Sequence, residues 1–224
     1  MTEDGILPKG ALDGEEGDIT SQRIMQALRE RFLGYIPGLT REESSLGGYI
    51  DRRIVRDIQK FDDMVGLRDV SNALNAAAEE TMAGIRSRPA WKSSGWADVT
   101  PAQPEGRPDI YQALEKVAEV MFAEGIMWSQ CCGDNKAPLL HYVMQVGMSL
   151  RTIKCIPGFD AGDAVDEYDR KLVQQIHEFN EMPGLKDIKR IMDDTANGLF
   201  EKLGLKSPEK MTVPKPLQFK PKAG

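Results

Sequence analysis

Several groups of residues have types and spacings that could do chemistry. In Asp193-Asp194-Thr195-Ala196-Asn197-Gly198, oxygen donors at Asp193, Thr195 and Asn197 alternate ahead of a glycine, as in a calcium-binding loop. The match ends at the twelfth position, where Gly204 stands in place of the bidentate glutamate. A solvated helix face is expected there instead. Asp160, Asp163, Asp166, Glu167 and Asp169 gather carboxylates at spacings of three, and a helix N-terminus explains that clustering.

Cys131, Cys132, His141 and Cys155 have zinc-ligand types, but adjacent cysteines followed by long irregular gaps lack the Cys-x-x-Cys spacing of structural sites. Buried, reduced cysteines are expected. Neither His141 nor His177 accompanies a nucleophile elbow or a His-Glu-x-x-His pattern. The chain also lacks a Gly-x-x-x-x-Gly-Lys-Ser/Thr loop, and no Gly-x-Gly-x-x-Gly follows a strand. The expectation is a non-enzymatic protein with no cofactor and no metal. An enzyme whose site leaves no linear motif is the third reading.

Binding residues are easier to name. Trp91 and Trp96 lie in a Pro/Gly/Ser stretch running from Ser87 to Pro108, where a tryptophan has no core of its own. Each is expected to dock on a neighbouring domain or to anchor a partner, a role tryptophan favours. In the last residues, Leu217 and Phe219 sit among lysines and prolines as two further anchors of an extended recognition segment. Arg23, Arg29 and Arg31 form one basic patch, and Arg52, Arg53 and Arg56 another. Glu30, Asp51 and Asp57 are interleaved with them, so salt-bridged helix faces are expected ahead of a phosphate groove.

The elements that must position these residues read as helices throughout. With 41% hydrophobic and 29% charged residues in 224, the composition is that of a folded, water-soluble chain. The longest apolar runs are interrupted by Glu119, Glu124, His141 and Gln145, so no membrane span is expected and a cytoplasmic location follows, with a nuclear one left open. The net charge of −6 is unevenly spread, with an acidic head and a lysine-rich tail.

Residues 1–20 read as an acidic disordered head, because isolated apolar residues cannot offset ordering entropy. A cap at Thr20 or Ser21 then opens a stripe at Ile24, Met25, Leu28 and Phe32–Leu33. From Ile50 to Ile85 helical spacing continues past Gly66, which either bends one helix or turns between two. Within it Leu67, Val70, Leu74 and Ala77 step by three and four, a seam suited to self-association.

Residues 21–86 therefore form a helical segment and 87–108 a linker whose prolines exclude regular structure. Residues 109–205 form a C-terminal helical bundle opened by an Asp109 cap, and 206–224 a basic, Pro-rich tail. An apolar-Pro-Gly-apolar pattern at Ile36, Ile156 and Met182 marks turns between helices. With no sustained period-two alternation, the fold class is all-α.

This layout suits a protein–protein adaptor or scaffold that binds protein partners and forms a homo-oligomer. In architecture alone it resembles the modular polymerase-cofactor phosphoproteins of negative-strand RNA viruses, with no residue motif carrying that resemblance. The alternative is an RNA-coating nucleocapsid or filament subunit, in which the two arginine patches line the RNA.

Overall fold

In the computed structural model the described residues are 7–8, 10–39, 46–98, 109–127, 137–159, 164–177 and 184–205. Every element among them is helical: eight α-helices and one 3-10 turn.

The first helix, α1, spans Gly14–Leu33 and so begins before the cap expected at Thr20 or Ser21. Its N-cap is Asp13, and the Thr20 hydroxyl donates to the Glu16 carbonyl at 3.0 Å inside the helix. Two features extend it into the acidic head. A Cβ at Gly17 would lie 2.0 Å from the Leu12 carbonyl carbon, so only glycine lets the preceding chain fold back this closely. Leu7 and Ala11 are thereby buried with Ala27, Ile50, Ile54 and Ile58. The expectation of a disordered head across residues 1–20 is thus corrected from Gly10 onward, because isolated apolar residues find a surface on the helices that follow.

Helix α2 spans Leu46–Ile58 and α3 spans Leu67–Ser87. Gly66 therefore separates two helices. It takes an extended conformation as the N-cap of α3, and its N–H donates to Asp69 Oδ2 at 2.9 Å. Gln59 Nε2 donates to the Val65 carbonyl at 2.9 Å and closes the turn between the helices.

The stretch after α3 holds more regular structure than its prolines suggest. Pro89 sits in the first turn of a short helix, α4, Pro89–Lys92, where its missing N–H is no loss, and a 3-10 turn follows at Trp96–Asp98. Helix α5, Ile110–Ala123, opens as expected on Asp109, whose Oδ1 accepts from the Tyr111 N–H at 2.9 Å. Helices α6, Ala137–Lys154, α7, Ala164–His177, and α8, Leu185–Lys202, complete the described chain.

Turn chemistry follows the sequence at two of its three apolar-Pro-Gly-apolar sites. Gly38 and Gly158 have φ of 77° and 84°, the positive values a Pro-Gly type II turn requires. Leu39 N–H donates to the Ile36 carbonyl and Phe159 N–H to that of Ile156, at 3.3 and 2.9 Å. Gly184 differs, with φ of −81°, and serves as the N-cap of α8.

Packing follows from the apolar stripes. Helices α1, α2 and α3 pack on one another, as do α5, α6, α7 and α8, and α1 also packs on α6. The main core draws Phe32 and Leu33 from α1, Met82 and Ile85 from α3, and Val117, Met148, Leu172 and Phe200 from the later helices. Apolar burial thus runs continuously from one side of the 87–108 stretch to the other. Arg88 donates to the Gly158 carbonyl, and Phe32 meets Phe159 edge-on at 5.2 Å between centroids, so the Ile156–Phe159 turn is tied to the start of α4 and to the end of α1.

Candidate functional site

The N-terminal arginines divide by helix. Because α1 packs against α2, α3 and α6, Arg23 and Arg31 meet carboxylates of α2. Arg31 donates from Nη2 and Nη1 to the two oxygens of Asp51 at 2.8 and 3.3 Å, and from Nε to Asn75 Oδ1 at 2.7 Å. Ser71 Oγ adds a 2.6 Å bond to Asp51, so this one cluster joins α1, α2 and α3. Arg23 pairs with Asp57, and Arg29 is only 8% exposed. The alternative in which Arg23, Arg29 and Arg31 together line RNA is corrected for Arg29 and Arg31: Arg29 is buried, and Arg31 is held by Asp51 and Asn75. Arg52, Arg53 and Arg56 are all exposed on the outer face of α2.

Beside that face lies a cleft of 240 Å³ where three helices meet. From α1, Ile19, Gln22, Arg23 and Gln26 line it at three- and four-residue spacing, which is one helical face. From α2 come Tyr49, Ile50 and Arg53, and from α6 comes Tyr142. Ile50 is buried and forms an apolar floor. The Tyr49 ring is 50% exposed and lies under the Arg53 guanidinium, 5.6 Å from carbon to ring centroid. Burial, and then the neighbouring Tyr168, push the Tyr142 hydroxyl above its ordinary pKa, against the pull of Arg29. Nη2 of Arg29 is buried without a hydrogen-bond partner among the described residues.

The remaining sites named from sequence fall elsewhere. Trp96 is 4% exposed in the main core and stacks on Phe200, with centroids 6.5 Å apart and an interplanar angle of 29°. Trp91 is half-buried and meets Trp96 edge-on at 5.8 Å. Of the two roles expected for it, Trp96 takes docking within the chain and not partner anchoring: it is an internal clasp, because the chain after α4 returns onto α8. Val70 and Leu74 are fully buried against α1 and α2, so the seam read over Leu67, Val70, Leu74 and Ala77 is filled within the chain. Only Leu67 of that set is exposed. Leu217 and Phe219 lie outside the described residues, as do Cys131 and Cys132.

Asp193 to Gly198 lies within α8 and is not a loop. Asp193 accepts from Arg151 Nε at 2.6 Å, and Asp169 accepts from Nη1 and Nη2 of the same guanidinium at 2.8 and 2.7 Å. Asp166 bonds Lys189 at 2.7 Å, and that bond holds its carboxyl below the usual range. Both histidines are exposed and line neither this cleft nor a second, 360 Å³ groove between α5 and α8. Among the described residues no group of His, Cys, Asp and Glu side chains is placed to hold a metal, and no helix is long and apolar enough to cross a membrane.

Sequence reasoning missed Tyr49, Tyr142, Gln22 and Gln26. A local signal existed for one of them: Tyr49 precedes Arg53 by four residues, so both share a helical face with the arginine patch. No protein-family model, no curated protein and no solved structure matches the chain.

Proposed function

We propose that this chain is a non-enzymatic subunit that coats single-stranded RNA and assembles with copies of itself. The observation that carries the reading is the exposed row Arg52, Arg53 and Arg56 on α2, next to a cleft walled by Tyr49 and Tyr142. Arginines that neutralise phosphates supply sequence-independent affinity, and aromatic rings beside them accept bases, which is the recurring chemistry of single-strand binding. The net charge of −6 fits this chemistry only if binding is confined to such a face, since the chain as a whole repels a polyanion.

Self-association has its own support. The turn between α2 and α3 presents Phe61, Met64 and Leu67 to solvent, with Met64 86% exposed. Large apolar residues exposed together mark contact surfaces. The same corner favours a second reading, an adaptor that binds a different protein and no RNA.

Size-exclusion chromatography with light scattering and absorbance at two wavelengths tests the choice. The coat reading expects large particles rich in nucleic acid. A small oligomer free of nucleic acid, with no affinity for added single-stranded RNA at low salt, contradicts it and supports the adaptor.

A further inference from the structure

We infer that the cleft between α1, α2 and α6 is a subsite for one unstacked nucleotide, with the base against Tyr49 and its phosphate at Arg53. The inference rests on the RNA-coating reading and adds to it which groups touch a base. A row of arginines alone would bind any polyanion. What distinguishes this cleft is the mixture of its walls: two tyrosines, two primary amides, two arginines and an apolar floor.

Each wall suits a different part of a nucleotide. Tyr49 and Arg53 are already paired as ring and guanidinium, and both kinds of plane stack on bases. Ile19 and Ile50 supply the apolar surface that a base buries when it leaves solvent. Gln22 and Gln26 each offer a donor and an acceptor, so together they can follow the polar edge of a purine or a pyrimidine. The volume of 240 Å³ falls below the roughly 300–1,000 Å³ typical of pockets for drug-sized ligands, which favours a single base over a longer segment.

Charge around the cleft is consistent with an anion at its mouth and not at its floor. Arg23 is committed to Asp57, whereas Arg53 lies on the exposed α2 face with Arg52 and Arg56.

The test uses the full chain, stripped of nucleic acid, with three probes: single-stranded RNA of about eight nucleotides, polyphosphate as an aromatic-free polyanion, and a nucleoside monophosphate. Tyr49→Ala is expected to weaken RNA binding by about tenfold, the lower part of the range for one base–aromatic stack, while polyphosphate affinity stays unchanged. Tyr49→Phe should restore RNA binding, and Gln26→Ala provides a second probe at a half-buried position. If wild type binds RNA and neither Tyr49→Ala nor Gln26→Ala changes its affinity, the subsite is overturned and the coat reading stands. Tyr49-dependent binding of the monophosphate without RNA binding supports the subsite and overturns the coat. Absence of binding to both RNA and monophosphate overturns both.

Discussion

The indole of Trp96 stacks on the ring of Phe200 at 6.5 Å, so a residue just after α4 closes on the last helix of the described chain. Trp91 then braces Trp96 edge-on from the half-exposed side. The pair joins the two helical groups across the Pro/Gly stretch, and the binding role proposed for the chain rests on other residues.

Trp96→Ala should therefore cost about 3–5 kcal/mol of stability, the usual effect of removing a large buried aromatic. Trp91→Ala should cost about 1 kcal/mol, mostly the lost aromatic pair. Urea unfolding followed by circular dichroism measures both. Equal and small effects would show that the indoles do not join the halves, and the clasp would have to be abandoned.

Arg151 is 1% exposed, and so is Asp169, which takes both its Nη groups while Asp193 takes Nε. Removing one partner leaves a charge in the interior, so Asp169→Ala should destabilise by about 3–5 kcal/mol. The double replacement Arg151→Met/Asp169→Leu should cost clearly less than the sum of the two single changes. Burial opposes the Arg151 charge, yet the two aspartates outweigh it and raise its pKa. A folded value above the unfolded one means the contribution is complete below the unfolded pKa and fades only at strongly alkaline pH. Thermal melts should accordingly show no loss traceable to Arg151 through neutral and mildly alkaline buffers.

Burial also pushes the Cys155 thiol up to about 12. At pH 8 it is a thiol and not the reactive thiolate, so native protein should resist iodoacetamide at Cys155 and react there promptly once unfolded. The fold favours the protonated form, so this group's contribution to stability is present below the unfolded thiol pKa. It declines as pH rises from that value towards about 12. Peptide mapping by mass spectrometry reads the labelling directly, and rapid native labelling at pH 8 would place Cys155 outside the core.

What the sequence made legible was local. The helical stripes, the Asp109 cap and the Pro-Gly turns at Gly38 and Gly158 depend on residues within a few positions of each other, and each forms as read. Partners far apart in the chain were not legible. Gly17 looks unremarkable until Leu12 is found against it, and the α2–α3 seam looks available until α1 covers Val70 and Leu74. The candidate site divides the same way. Tyr49 and Arg53 share a helix face that spacing reveals, whereas Tyr142 joins them from α6 through packing that no periodicity encodes. The arginines of α1 could not be told from those of α2 by composition, because their difference lies in which carboxylates the tertiary structure brings to them.

The central claim is that the outer face of α2 binds single-stranded RNA through Arg52, Arg53 and Arg56. The direct test is the salt dependence of binding for wild type and an Arg52→Ala/Arg53→Ala/Arg56→Ala variant, with circular dichroism confirming that both are folded. Each phosphate contact on a single strand contributes about 0.7 to the slope of log affinity against log salt. The variant should bind more weakly and lose about 2 from that slope. An unchanged slope and affinity in a folded variant would contradict the account.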